Sequence, residues 1–554
     1  MISLADDGYF RKNGAFFFPV GVNYWPGSCG VEMWTRWPEE EMRADLDAMI
    51  NNRLNTLRFF LRWPDFQPRL GTFREEAWEQ LTTFLGWCRE RDIAVIPTLF
   101  VGFMSGGFFY PEGKEKVNIF SDPVWREGCR EYATKAATVM APFQDIILAV
   151  DHGNENASIR DSWTAGADNL RAWSATVSAA VKEQMPGVLV MSGLDHNQVC
   201  VESGWRFDVL EGCDCLSIHG YPIGGWWPIA FDGMGDPLCR ELLPLAVTIA
   251  RAHGPVMLQE FGTIVSGGPE NMRHYVEALL PRVREAGVNG WLWWCLRDIP
   301  ALIHPYDKGT IEGSLGLLNE KGAVKEGLSV LSGDAEIVPT APVQQSSPPP
   351  FALYWPQYVN ADEKNPGNSP EEHFRSLAPM ATGLRLAGLA YRVVRSGDPL
   401  PRNGEVLLIA GASLTGTEIR RIRSWVYEGG HLIWQGLDFR NAGRDAEALL
   451  GALVADVRSA IPDTFTLAGR SWPVGTYRNK TLPELRLVEA TALARDSRGM
   501  VQVFRHDYGR GCLIGVVGDM GGHFAAEEPR RGNRAHWGEW MTALRELLAP
   551  QGPS

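Results

Sequence analysis

Between residues 17 and 296 the sequence alternates eight apolar, strand-like runs with helix-sized amphipathic segments, and this alternation narrows the fold more than any other feature. The runs are FFPVGVN (17–23), NTLRFF (55–60), AVIPTLF (94–100), IILAV (146–150), VLVMSG (188–193), CLSIHGY (215–221), PVMLQEFG (255–262) and NGWLWWCL (289–296). Stretches such as PEEEMRADLDAMINN and EEAWEQLTTFLGWCRERD lie between them. Strands joined through crossover helices pair in parallel, and eight of them predict a closed (β/α)8 TIM barrel. An open doubly wound sheet is the alternative, but no glycine-rich phosphate turn follows an early strand.

Residues 332–350, SGDAEIVPTAPVQQSSPPP, carry no periodic apolar pattern and read as a Pro/Ser-rich linker. The expected domains are therefore a barrel over 1–331 and a smaller α/β domain over 351–554. In the latter, YRVV (391–394), VLLIAG (406–411) and HLIWQG (431–436) alternate with helical stretches in a flavodoxin-like pattern. VQVFRHDYGRGCLIGVVG (501–518) reads as a hairpin turning at Tyr508–Gly511, and a helix near 536–548 closes the chain.

Charge and cysteine usage exclude several functions. Acidic residues outnumber basic ones 66 to 53, a net charge of −13, which disfavours binding to nucleic acid or to an anionic membrane. Nine cysteines are scattered with no CxxC spacing, so neither a zinc site nor a disulfide framework is expected. Cys213 and Cys215, two apart in an apolar run, read as packing residues. No cofactor is expected. The N-terminus MISLADDGYFRKNG lacks a signal-peptide profile and no run is long enough to span a membrane, so the expected location is cytoplasmic.

Catalytic groups of a barrel come from the C-terminal ends of its strands. Two glutamates lie there: Glu155 after strand four in AVDHGNENAS, and Glu260 at the end of strand seven in VMLQEFGT. A carboxyl pair is what glycoside hydrolysis requires, one to attack the anomeric carbon and one to exchange a proton.

With these neighbours the barrel resembles the retaining glycosidases of the large β-glycosidase clan, and within it glycoside hydrolase family five. Asn154–Glu155 resembles the clan's acid/base motif, and Glu260 in QEFG its nucleophile. Arg58 in NTLRFF resembles the strand-two arginine beneath the nucleophile, His219–Tyr221 the HxY motif after strand six, and Trp294 the tryptophan of strand eight. The resemblance covers residues 15–330. It implies an acid at Glu155, a nucleophile at Glu260 kept ionised by arginine and a tyrosine hydroxyl, and Asn154 on the sugar 2-hydroxyl. One departure is Phe103, where many relatives carry a histidine.

Weaker candidates for sugar contact are Tyr24 and Trp25 at the end of strand one, Trp226 and Trp227 after strand six, and His152, Asp195 and His196 at strand ends. Asp298 reads as a loop-ordering residue. The second domain is similar to the amidotransferase-like domain of family forty-two β-galactosidases, but no cysteine follows HLIWQG. It is expected to be catalytically silent and to support a homo-oligomer, a trimer or dimer by resemblance. The segment HPYDKGTIEGSLGLLNEKGAVKEG resembles bacterial family-five β-mannosidases, which implies an exo-β-mannosidase acting on short oligosaccharides, including mannose β-linked to N-acetylglucosamine. β-Galactosidase, endo-β-mannanase or glucanase, and a sugar-binding pseudoenzyme are the alternatives. Long glycine-rich aromatic loops, VGFMSGGFFYPEGKEKVNIFSDP and PIGGWWPIAFDGMGDP, are expected to close the barrel mouth into a pocket for chain ends.

Overall fold

All eight apolar runs become strands: β1 (Val20–Tyr24), β2 (Thr56–Arg62), β3 (Ala94–Val101), β4 (Val150–Gly153), β5 (Val190–Met191), β6 (Leu216–Gly220), β7 (Val256–Phe261) and β8 (Trp291–Trp293). This computed structural model describes residues 1–549 apart from 202, 223–225, 227–228, 265–267, 301–303, 309–310, 334–336, 344–348, 361–368, 403, 438–442, 477–480 and 528–533. Part of the Pro/Ser-rich linker, and Trp227, lie outside the described residues.

The strands run in the order β5-β4-β3-β2-β1-β8-β7-β6, all parallel, and a parallel bridge from Met191 to Cys215 closes the ring. Between them lie α1 (Glu39–Asn51), α2 (Glu75–Glu90), α3 (Pro123–Met140), α4 (Ala167–Gln184), α5 (Pro237–His253) and α6 (Pro269–Glu285). Local sequence explains their limits. Asp122 caps α3 by accepting from the backbone N–H groups of Val124 and Trp125, with Pro123 in the first turn. In α2, Ala77, Trp78, Leu81, Phe84, Leu85 and Cys88 recur at helical spacing and are the buried face.

Inside the ring, Ala94, Ile96, Leu148, Met191, Cys215, Met257 and Leu292 form an apolar lower layer with Ile2 and Phe10. Ile2 and Phe10 belong to a three-stranded antiparallel N-terminal sheet. The layer toward the strands' C-terminal ends is polar, with Asn23, Arg58, Thr98, Asp151, His219 and Gln259 all about fully buried. That polarity marks the site.

The chain divides into two compact units: 1–198, 202–223 and 253–344 form one, and 199–201, 224–252 and 345–554 the other. Residues 224–252, which contain most of α5 and which sequence order assigns to the barrel, thus group with the second unit. That unit holds a sheet of β9 (Phe351–Trp355), β10 (Tyr391–Arg395), β11 (Val406–Ala410), β12 (His431–Gln435), β13 (Thr491–Arg495), β14 (Val501–Tyr508) and β15 (Gly511–Val516). Its order is β10-β9-β11-β12-β15-β14-β13, parallel from β10 through β15, with the last two strands antiparallel. The parallel part has the 2-1-3-4-5 order of flavodoxin-like sheets. Around it lie α7 (Pro370–Leu386), α8 (Gly416–Tyr427) and α9 (Ala535–Glu546); a Thr415–Glu418 capping box starts α8.

Candidate active site

Arg58, fully buried on β2, organises the floor of the site. Its guanidinium donates to Asp151 Oδ2 from Nε at 2.9 Å, to Asn23 Oδ1 and Glu260 Oε2 from Nη1 at 3.1 and 2.9 Å, and to Asn154 Oδ1 from Nη2 at 3.0 Å. Register supports this convergence, since Asn23 lies opposite Arg58 and Thr98 opposite Asp151 across neighbouring strands. A buried arginine is stable only with such a complete set of acceptors.

Glu260, the penultimate residue of β7, also accepts a hydrogen bond from the Tyr221 hydroxyl. Burial and the neighbouring Glu260 carboxylate push Tyr221 well up, so its phenol remains a donor. Burial pushes Glu260 itself up, and Glu155 adds to this, while His219, Arg58 and Tyr221 oppose it. Arg58 and Tyr221 thus favour the ionised carboxyl, acting against desolvation.

Glu155 sits one residue past Asn154 in the left-handed backbone region, φ 47°, with its N–H bonded to Gly193 O at 2.8 Å. Gly193 must be glycine, for its own φ is 61° and a Cβ would run into Gly153 O and the Asp151 carboxylate. Burial raises the Glu155 carboxyl to about 7, against the pull of Arg58. His219 Nδ1 lies 3.1 Å from Glu155 Oε1, and one oxygen each of Glu155 and Glu260 and a ring nitrogen of His219 fall within 4.8 Å of one another. An oxygen of each carboxyl thus approaches the other within 4.8 Å, a close approach of the kind that double displacement uses (~5–5.5 Å between the carboxyl groups). Such a trio could also approach a metal, but the Arg58 guanidinium already supplies the positive charge beside Glu260.

Trp294 forms a wall, its ring edge-on to Phe60 at 5.8 Å and its Nε1 donating to Glu312 Oε2 at 2.7 Å. The other Glu312 oxygen accepts from Ser105 Oγ at 2.7 Å, which ties the hairpin after β3 (Phe103–Met104 paired with Gly107–Phe108) to the segment after β8. Phe103 contributes its carbonyl, which accepts from Asn154 Nδ2 at 3.2 Å, so the backbone supplies a polar contact where the side chain has none.

Structural comparison places this geometry in a family. The fold matches that of an exo-β-1,4-mannosidase from Opitutaceae bacterium strain TAV5, with TM-score 0.92 and 39% identity over 98% of this chain and 99% of that one. The chain belongs to glycoside hydrolase family five. It also resembles in fold a family-five subfamily 18 variant from Streptomyces cattleya in complex with Manβ1-4GlcNAc, at 21% identity over 69% and 94% of the chains and TM-score 0.61. A β-galactosidase from Rahnella sp. R3 shares the fold at 14% identity over 96% and 89%, TM-score 0.70. No family model and no curated protein matches the sequence. As a family-five member the protein is a glycoside hydrolase of the retaining type.

Within this family-five site the structure gathers Arg58, Asn154, Glu155, His219, Tyr221, Glu260 and Trp294. His196 is beside them, its Nδ1 3.1 Å from His219 O, and burial lowers it to about 4. Asp195 is buried nearby; desolvation and then the Glu155 charge raise it well above the usual range. Other expectations need correction. Tyr24 points away from the axis, donating to Asp45 and stacking on Phe84 of α2. Trp25, fully buried, stacks on Phe60, the ring that also meets Trp294. His152 faces outward to Ser178 Oγ at 2.8 Å. Trp226 is buried against Phe374 within the second unit. Asp298 orders its loop through Gly316 and Lys325, and all nine cysteines are free.

Sequence reasoning missed Asp151, Gln259, Asn23 and Glu312. Strand parity with Arg58 and Thr98 was a signal for the first; Glu312 and Gln259 left none.

Proposed function

We propose that the protein is a retaining exo-β-mannosidase that releases terminal β-linked mannose from short oligosaccharides such as Manβ1-4GlcNAc. Glu260 attacks the anomeric carbon as Glu155 protonates the departing oxygen; Glu155 then takes a proton from the water that releases the sugar. Asn154, fixed by Arg58 and the Phe103 carbonyl, presents its amide to the 2-hydroxyl, and Trp294 offers an apolar face to the ring. The observation that carries this reading is the close Glu155–Glu260 pair, with Arg58 and Tyr221 donating to Glu260 against the burial that raises both carboxyls. The likeness to the Opitutaceae enzyme supports mannose as the sugar. We further propose a cytoplasmic location and a homo-oligomer assembled through a catalytically silent second domain, to be read by light scattering on the full chain. Among the described residues no helix is long and apolar enough to cross a membrane.

A panel of nitrophenyl β-glycosides tests the sugar, with the mannoside expected to dominate. Glu260→Ala should nearly abolish turnover of every substrate. Glu155→Ala should spare glycosylation by activated leaving groups and be rescued by azide as a β-glycosyl azide of retained configuration. Inverted products from the native enzyme would defeat the assignment.

A further inference from the structure

Gln259 is an extra residue in β7. Ile218 lies opposite Leu258 but His219 lies opposite Glu260, and this bulge lets the consecutive side chains of Gln259 and Glu260 both serve the site. Gln259 is fully buried, and its amide can be oriented from its neighbours. One end lies 3.3 Å from Asp151 Oδ2, an oxygen that already accepts from Arg58 Nε at 2.9 Å and Thr98 Oγ1 at 3.0 Å. That end must be the NH2 group. The carbonyl end then faces His219 Nε2 at 2.9 Å, so Nε2 carries a hydrogen.

We infer that Gln259 is a positioning residue that locks neutral His219 in its Nε2–H tautomer and so turns a bare Nδ1 toward Glu155. Burial disfavours the charged imidazolium, which leaves one ring hydrogen, and Gln259 claims it. Nδ1 is 3.1 Å from Glu155 Oε1 and 3.6 Å from Glu260 Oε2, so only Glu155 is within hydrogen-bond reach. Two lone pairs cannot bond, and Glu155 must bring the proton. The groups facing His219 are Arg58 from β2, Asp151 and Glu155 from β4 and the turn after it, Gln259 and Glu260 from β7, His196 after β5, and Tyr221 beyond its own strand. Of these, Gln259 is the one bonded to Nε2, and its acceptor decides the tautomer.

The consequence rests on the proposed hydrolytic cycle. In the opposite tautomer an Nδ1–H would stabilise ionised Glu155 and weaken its hold on the proton. In the locked tautomer His219 favours the acid. When that proton passes to the glycosidic oxygen as the C1–O bond breaks and Glu260 bonds to C1, the carboxylate left beside a bare Nδ1 is a stronger base for the water of the second step.

Nitrogen-15 spectra of the full-length protein with labelled histidine, His219 being assigned by its loss in His219→Asn, read the tautomer without any substrate. Near neutral pH, Nε2 should be hydrogen-bearing and Nδ1 bare; an Nδ1–H form or an imidazolium overturns the inference. In Gln259→Met the preference should be lost. The basic limb of kcat/KM on manno-oligosaccharide should then move down by about one pH unit, about a tenfold loss above pH 8 with far less below pH 6. An equal loss at every pH would indicate a merely structural residue and overturn it too. Absence of glycosidase turnover in the native enzyme would instead defeat the functional proposal, and the spectra would still judge the tautomer.

Discussion

Glu155 combines a left-handed backbone with a carboxyl held near neutrality by burial. A non-glycine residue in that region costs about 1–3 kcal/mol, and such strain gathers where geometry serves chemistry. Raising a carboxyl from 4.5 to about 7 corresponds to on the order of 3 kcal/mol. Because the folded value lies above the unfolded one, the folded state binds the extra proton between those limits, and stability falls as pH rises from about 4.5 toward 7. Glu155→Gln mimics the protonated acid and escapes this loss. Thermal melts should therefore show the variant gaining on the native protein from pH 5 to pH 7 and level above. Glu155→Gly should gain a further ~1 kcal/mol at all pH by relieving the backbone. A gap between the Glu155→Gln variant and the native protein that is flat with pH would show that this carboxyl is not raised. In activity, loss of the protonated acid should set the basic limb of kcat/KM near pH 7.

At the scale of elements, the mouth of the barrel is shaped by one carboxylate between two loops. Glu312 takes Ser105 from the hairpin after β3 with one oxygen and Trp294 from the end of β8 with the other. Ser105→Ala removes one charged hydrogen bond, about 1.5–3 kcal/mol at most, while leaving Glu155 and Glu260 untouched. KM for manno-oligosaccharides should rise about tenfold with kcat little changed; an equal fall in kcat would mean the hairpin also positions the acid. With the tie intact, mannan should lose monosaccharide from its ends with slow loss of viscosity, whereas a rapid viscosity drop would show an open cleft. These elements differ in how far sequence reveals them. The eight strands were legible because each is largely apolar and bounded by helix-length segments, Glu155 and Glu260 because they break that apolarity near strand ends, and Arg58 because it is a lone charge inside an apolar run. Tyr24 was misread because the last residue of a strand points outward or inward by parity alone. Gln259 was hidden by its bulge, for a strict period of two sends one of two consecutive side chains outward. Glu312 lies in a loop whose course no local pattern sets.

At the scale of the whole molecule, chain order and folding units disagree over residues 224–252. Helix α5 is buried almost around its circumference, with Leu238, Leu242, Leu245, Val247 and Ile249 all nearly inaccessible. Its polar anchors belong to residues beyond the linker. Asp236, just ahead of the helix, pairs with Arg534 through two bonds of 2.6 and 2.7 Å, and Glu241 accepts from Tyr391 at 2.5 Å and Arg385 at 3.3 Å. Breaking a buried ion pair by removing one partner costs about 3–5 kcal/mol, because the other charge remains desolvated. Arg534→Met should therefore destabilise the fold by an amount of that order, read as a lower melting temperature, and Asp236→Asn should partly restore it by discharging the orphaned carboxyl. A fragment ending at residue 340 loses all three partners at once and exposes an apolar helix. In the chain that helix follows β6, which carries His219, and precedes β7, which carries Gln259 and Glu260. Such a fragment should be aggregation-prone, bind apolar dyes and lack activity, even though it contains every residue of the barrel. A soluble, cooperatively melting fragment with native kcat/KM would show that the anchors beyond the linker are dispensable and that the barrel folds by itself.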